Sequence, residues 1–91
     1  MIFGKYGNMI LNNLKSTYPH RLKELEITGQ LEIKIFEREQ YILKLKEKIE
    51  KRIIKENPKP KTKEVFVITK YQQMIEGLVD EELMKEVLEK I

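Results

Sequence analysis

Between Gln30 and Asn57 the chain contains neither glycine nor proline and mixes charged with long aliphatic side chains. Leu31, Ile35, Ile42, Leu45, Ile49 and Ile53 recur at steps of mostly three, four or seven, which gathers them on one side of a 3.6-residue turn. The pattern predicts a single helix of about seven turns, roughly 40 Å long at 1.5 Å per residue. A rod of that length in a chain of 91 residues leaves few folds open. The other segments have to be laid along it.

Those segments also read as helical. Phe3, Tyr6, Ile10 and Leu14 predict a first helix over about Lys5 to Lys15, with Gly7 near its start. An internal glycine costs roughly 1 kcal/mol against alanine, so Gly7 signals either a close backbone contact or a helix beginning just after it. Pro19 suits the first turn of a second, short helix carrying Leu22 and Leu25, and Gly29 suits its end or a tight corner. Pro58 and Pro60 break the long helix, because each removes a donor and fixes an extended course. Beyond them Val65, Ile68, Tyr71, Met74 or Ile75, and Leu78 resume a helical stripe, and Leu83, Val87, Leu88 and Ile91 complete it. Gly77 interrupts this arm, and Asp80 with Glu81 and Glu82 after it offers an N-cap for a restarted helix. One long kinked helix and two shorter ones both fit. The β-branched run Val65 to Thr69 admits a rival reading as a short strand, although it has no partner to pair with.

The expected fold is all-α: one small helical domain over residues 1–91, built on a long antiparallel helical hairpin with two short N-terminal helices. Residues 1–29 hold the short helices, 30–57 the long helix, 58–61 a Pro/Lys loop and 62–91 the C-terminal arm. Cysteine is absent, which excludes disulfides and thiolate metal sites. The opening MIFGKYGNMI lacks the basic and uninterrupted apolar parts of a signal peptide, and no run reaches membrane-spanning length. A cytoplasmic protein without membrane partners is the expectation.

Several short motifs resemble those of the transposon-encoded TnpV-like proteins. They are the opening Gly4-Lys5-Tyr6-Gly7, the pair Leu14-Lys15, the corner Thr28-Gly29-Gln30-Leu31 with the Glu-rich helix after it, and Tyr71-Gln72-Gln73-Met74-Ile75 in a Met-containing amphipathic arm. Gln30 stands where that family usually carries Lys, and the further N-terminal segment common in the family has no counterpart here. The resemblance implies residence on a mobile genetic element. It carries no catalytic residues with it.

Catalysis finds little support in the residues. His20 is the only histidine and Ser16 the only serine, with no local group to orient them. The run Asp80-Glu81-Glu82 lacks the converging oxygen ligands of a hard-metal loop, and GKYG lacks the spacing of a P-loop. Glu37 and Glu39 point to different sides of a helix and make poor acid and base partners. No enzyme activity, metal or cofactor is expected.

Binding has more to work with. Formal charge runs about +2 over residues 1–30, +4 over 31–61 and −3 over 62–91. Lys44, Lys48, Lys51 and Lys55 stack within about 60° of helix circumference, and Lys59, Lys61 and Lys63 carry the positive field into the loop. Such a ridge suits a phosphate backbone and gives affinity without sequence readout. Its plain alternative is a solvated face whose lysines pair with Glu47 and neighbouring glutamates. Asp80, Glu81, Glu82 and Glu86 form a candidate acidic, partner-binding face on the C-terminal arm. Phe36, Tyr41, Phe66 and Tyr71 are expected on or near apolar faces and offer no stacking platform. A helix-turn-helix with Arg21 and Lys23 on a short, acidic second helix is a weaker candidate. Ile33, Ile35, Phe36, Ile42, Leu43, Ile53 and Ile54 form a wide apolar band with room for a second copy or another protein.

Three functions fit these features. The first is an inhibitor or modulator of host nucleic-acid machinery, of the anti-defence or anti-CRISPR type, whose partner is a host protein or ribonucleoprotein. The second is a DNA-binding accessory factor for transposon excision. The third is a structural helical dimer.

Overall fold

A computed structural model describes residues 2–91. Four helices follow one another: α1 (Lys5–Thr17), α2 (Pro19–Ile27), α3 (Leu31–Glu56) and α4 (Val65–Val87). The fold is all-α. Helices α3 and α4 run antiparallel, as three cross-links show. Near the loop the Tyr71 hydroxyl donates to the Asn57 carbonyl at 2.6 Å. Arg52 then meets Glu82, and at the far end Arg38 meets Glu86 at 2.9 Å. The molecule is accordingly elongated, measuring 54 × 21 × 20 Å.

Each connection has a local cause. Helix α2 ends in a Schellman motif: Gly29 takes φ 69°, its N–H donates to the Glu26 carbonyl at 3.2 Å, and the Gln30 N–H reaches back to Leu25 at 2.9 Å. This is the tight corner expected at Gly29, and it launches α3 in a new direction. The prolines end α3 as expected. Glu64 then starts α4, with the Thr62 hydroxyl accepting from the Glu64 N–H at 3.2 Å.

Two open readings of the C-terminal arm are decided, and the expected N-cap at Asp80 is corrected. Val65 to Thr69 is the first turn of a helix rather than a strand, and among the described residues no strand exists to pair with it. Helix α4 passes through Gly77 without a break, so Asp80 is no N-cap. The physical reason lies in the stripe Ile75, Val79, Leu83 and Val87, all buried at steps of four. Gly77 falls on the exposed side of that stripe, where its weak propensity is outweighed by packing on both flanks.

The core lies where α1 covers the hairpin. Tyr6, Ile10 and Leu14 of α1, Leu25 of α2, Ile35 and Ile42 of α3, and Val79, Leu83 and Val87 of α4 are all buried. Towards the loop, among the described residues, only Ile53 and Ile75 are buried. In that arm the burial comes chiefly from α3 and α4 packing on each other.

Candidate nucleic-acid interface

The ridge lysines and the buried face of α3 occupy opposite sides of one helix. Ile35, Ile42 and Ile53 hold their side of the helix against α1 and α4, which leaves Lys44, Lys48, Lys51 and Lys55 directed outward. All four are exposed, as are Lys59 and Lys61 in the loop. Among the described residues none of the six forms an ion pair. The pairing with Glu47 offered as the plain alternative is therefore not made.

Arginine behaves in the opposite way. Arg21 pairs with Glu24 at 3.1 Å and also donates to the Ile91 carbonyl, Arg38 pairs with Glu86 at 2.9 Å and Glu89 at 2.7 Å, and Arg52 pairs with Glu82. The Glu82 carboxylate holds the Arg52 guanidinium more firmly protonated than usual, chiefly through their hydrogen bond. Guanidinium suits such links because its fork matches a carboxylate. Arg38 and Arg52 tie the two arms of the hairpin together, Arg21 braces α2 and the C-terminus, and the unpaired lysines carry the outward charge.

The proposed acidic face is not one surface. Glu82 and Glu86 turn towards the arginines of α3, and Asp80 turns towards α1, where it accepts from the Tyr6 hydroxyl at 3.1 Å and from Lys5 at 3.5 Å. Glu81 is exposed on another side of α4. Periodicity explains the scatter, since successive residues step by 100°. The Tyr6 phenol is pushed up to about 12, first by burial, then by the charge and hydrogen bond of Asp80, and last by Glu50.

The feature least visible in the sequence is Glu39, a carboxylate only 6% exposed. It reaches from α3 to the start of α1 and accepts the backbone N–H of Gly4 at 3.1 Å and of Gly7 at 2.5 Å. These are the N-cap and N3 donors that a capping box satisfies from within a helix. Here a neighbouring helix supplies the acceptor, and its negative charge meets the positive end of α1. A Cβ on Gly4 would lie 3.0 Å from Glu39 Oε2, and one on Gly7 would lie 2.9 Å from that atom and 2.7 Å from Phe3 Cβ. The GKYG start thus has a structural reason: its glycines let the carboxylate approach. The signal available in sequence was the seven-residue gap from Ile35 to Ile42 in the apolar stripe, which Glu39 fills.

The aromatic expectation is partly corrected. Phe36 is 45% exposed, Tyr41 48% and Phe66 69%, so these three rings are not core. Tyr71 is the one that packs inward, against the core and Asn57. The apolar band divides as well: Ile35, Ile42 and Ile53 are buried, while Ile33, Phe36, Leu43 and Ile54 remain exposed.

Other places offer less. A cleft of about 660 Å³ lies beside the start of α1, floored by Ile75 and Val79. Its rim sets Lys5, Lys46 and Lys59 against Glu50, Glu76 and Asp80, so it favours neither sign of charge. Among the described residues no group of three or more His, Asp or Glu could hold a metal ion. His20 is exposed, and Ser16 spends its hydroxyl on the Asn12 carbonyl at 3.1 Å. Within the same residues no helix is long and apolar enough to cross a membrane. No protein-family model, curated protein or solved structure matches the chain.

Proposed function

We propose that this chain is a non-enzymatic binding protein of a mobile genetic element, acting in the cytoplasm as a modulator of host nucleic-acid machinery of the anti-defence type. In this reading it meets its target through the phosphates of a nucleic-acid strand, bare or held in a ribonucleoprotein, along Lys44, Lys48, Lys51, Lys55, Lys59 and Lys61. The observation that carries the reading is the contrast between these exposed, unpaired ammonium groups and the arginines, every one of which is tied to a carboxylate. A line of uncompensated charge on a rigid helix attracts a polyanion and releases its counterions. The mobile-element setting rests on the GKYG, Leu-Lys and Thr-Gly-Gln-Leu motifs, the Glu-rich helix and the Tyr71-to-Ile75 stretch alone.

The acidic arm contributes less to this reading than the ridge, because Asp80, Glu82 and Glu86 are engaged inside the molecule. The excision-factor reading uses the same lysines and differs only in the partner.

Fluorescence anisotropy with labelled oligonucleotides tests the proposal. Reversal of Lys44, Lys48, Lys51 and Lys55 to Glu is expected to weaken binding at least about 100-fold at low salt and to flatten the dependence of log K on log salt by about three. Folding should be nearly untouched, since exposed substitutions of this kind usually stay within about 0.5 kcal/mol each. Unchanged binding would remove the ridge from the function. Capture of partners from a host lysate with and without nuclease then separates the two readings: a protein retained after nuclease supports the modulator, and nucleic acid alone supports the excision factor.

A further inference from the structure

The ridge contains a ring. Lys34, Tyr41, Lys48 and Lys55 stand seven residues apart on α3, a spacing that drifts by only about 20° per step around the helix. Tyr41 therefore lies in the same outward row as the lysines, about 10 Å from Lys34 on one side and from Lys48 on the other. The two lysines are exposed and form no ion pair among the described residues. Tyr41 is 48% exposed.

One flank of that ring is already supported. The Arg38 guanidinium lies 5.1 Å from the ring centroid and is itself held by Glu86 and Glu89. Pinned in this way, Arg38 holds the ring without being free to bind a phosphate. A shallow concavity of about 320 Å³ opens beside Tyr41, lined also by Arg21, Lys34, Glu37, Arg38 and Ile91. Its one cation without an ion pair is Lys34. An open aromatic face between two free ammonium groups is the arrangement that stacks a base while its neighbouring phosphates are neutralised.

Shape separates single strands from duplexes. From Lys34 to Lys55 the row runs straight for roughly 30 Å. A duplex strand winds nearly a full turn over that distance and leaves the row after a few phosphates. A flexible single strand can follow it throughout and can turn a base onto Tyr41. Duplex bases are stacked on each other and offer the ring nothing.

We infer that the α3 ridge takes single-stranded nucleic acid, with one unpaired base stacked on Tyr41 and the flanking phosphates held by Lys34, Lys44 and Lys48. The inference rests on the phosphate-binding reading above and narrows it to a substrate class. Glu37, exposed in the same row, opposes binding and limits affinity.

The test compares labelled single-stranded DNA, single-stranded RNA and the matching DNA duplex by anisotropy, using the whole chain. At least one single strand is expected to bind about 10-fold tighter than the duplex. Tyr41→Ala should weaken single-strand binding about 10-fold, leaving duplex binding and the salt slope unchanged because no charge is removed. Tyr41→Leu, which keeps an apolar body at the site, should show the same loss even if the alanine variant folds poorly. Tyr41→Phe keeps the π-face and should stay within about twofold, while Glu37→Gln should tighten binding about threefold. Equal affinity for strands and duplex, or single-strand binding indifferent to Tyr41→Leu, would overturn the inference and leave the phosphate reading standing. No binding of any nucleic acid would overturn both.

Discussion

The two ends of the hairpin use the same helices for different purposes. At the end covered by α1, α3 and α4 meet a third helix, and Tyr6, Ile10, Leu14, Ile35, Ile42, Leu83 and Val87 are buried together. Polar links reinforce that end: Glu39 on the start of α1, Tyr6 on Asp80, and Asn13 donating to the Leu88 carbonyl at 3.2 Å. At the loop end burial thins, and among the described residues Ile53 and Ile75 alone are buried. Exposed Lys51 and Lys55 continue the ridge along this less covered arm. One end supplies stability, and the other extends charge into solvent.

Glu39 offers the sharpest way to break that contrast. Glu39→Ala removes the acceptor of two backbone donors at a helix start and leaves a void, with an expected loss of about 3 kcal/mol in denaturant unfolding. Gly7→Ala should cost about 2 kcal/mol, because its Cβ would press on Phe3 Cβ and on the Glu39 carboxylate. In both variants amide hydrogen exchange should rise most in α1 and least in the first turns of α4. If protection fell equally in both places, the hairpin would unfold as one unit and the distinction between its ends would fail.

Tyr6 gives the next effect, and its sign is fixed. The folded state holds the phenol proton more tightly than the unfolded chain does, since burial and Asp80 push the group from 10.0 up to about 12. Its contribution is complete below pH 10 and is lost as pH rises through about 12. Across that window the wild type should lose roughly 2 kcal/mol more than Tyr6→Phe. Paired urea titrations at several alkaline pH values measure the difference, with lysine titration common to both proteins. Parallel curves would mean that neither burial nor Asp80 raises the phenol.

The sequence made the helices legible because their signals are local. A proline pair, a glycine able to take φ 69° and an apolar stripe are each read within a few residues. Coverage is not local. Ile42 and Ile54 belong to the same helix, yet the first is buried beneath other elements and the second stays exposed where α1 no longer reaches. The same rule hid Glu39, whose partners lie 35 and 32 residues away, and it misassigned Asp80, whose partner Tyr6 is 74 residues distant. The lysine ridge was legible because solvent faces need no partner to define them. Tyr41 was not, since an aromatic at a helical position gives no sign of which side will be covered.

Two internal glycines bring the comparison to its smallest effect. Gly7 sits under Glu39 and Phe3, whereas a Cβ on Gly77 would meet nothing within 4 Å. Gly77 has no positive φ and lies in a helix whose buried stripe runs past it on the opposite side. Alanine there lowers the entropy of the unfolded chain and improves helix propensity without a steric cost. Gly77→Ala should therefore stabilise by about 0.5–1 kcal/mol, the reverse of Gly7→Ala, as a higher urea midpoint with an unchanged slope. The slope carries the second half of the argument. Were it to rise, the wild-type arm would already have been partly open at Gly77, and the less covered end of the hairpin would be a moving part rather than a rigid extension.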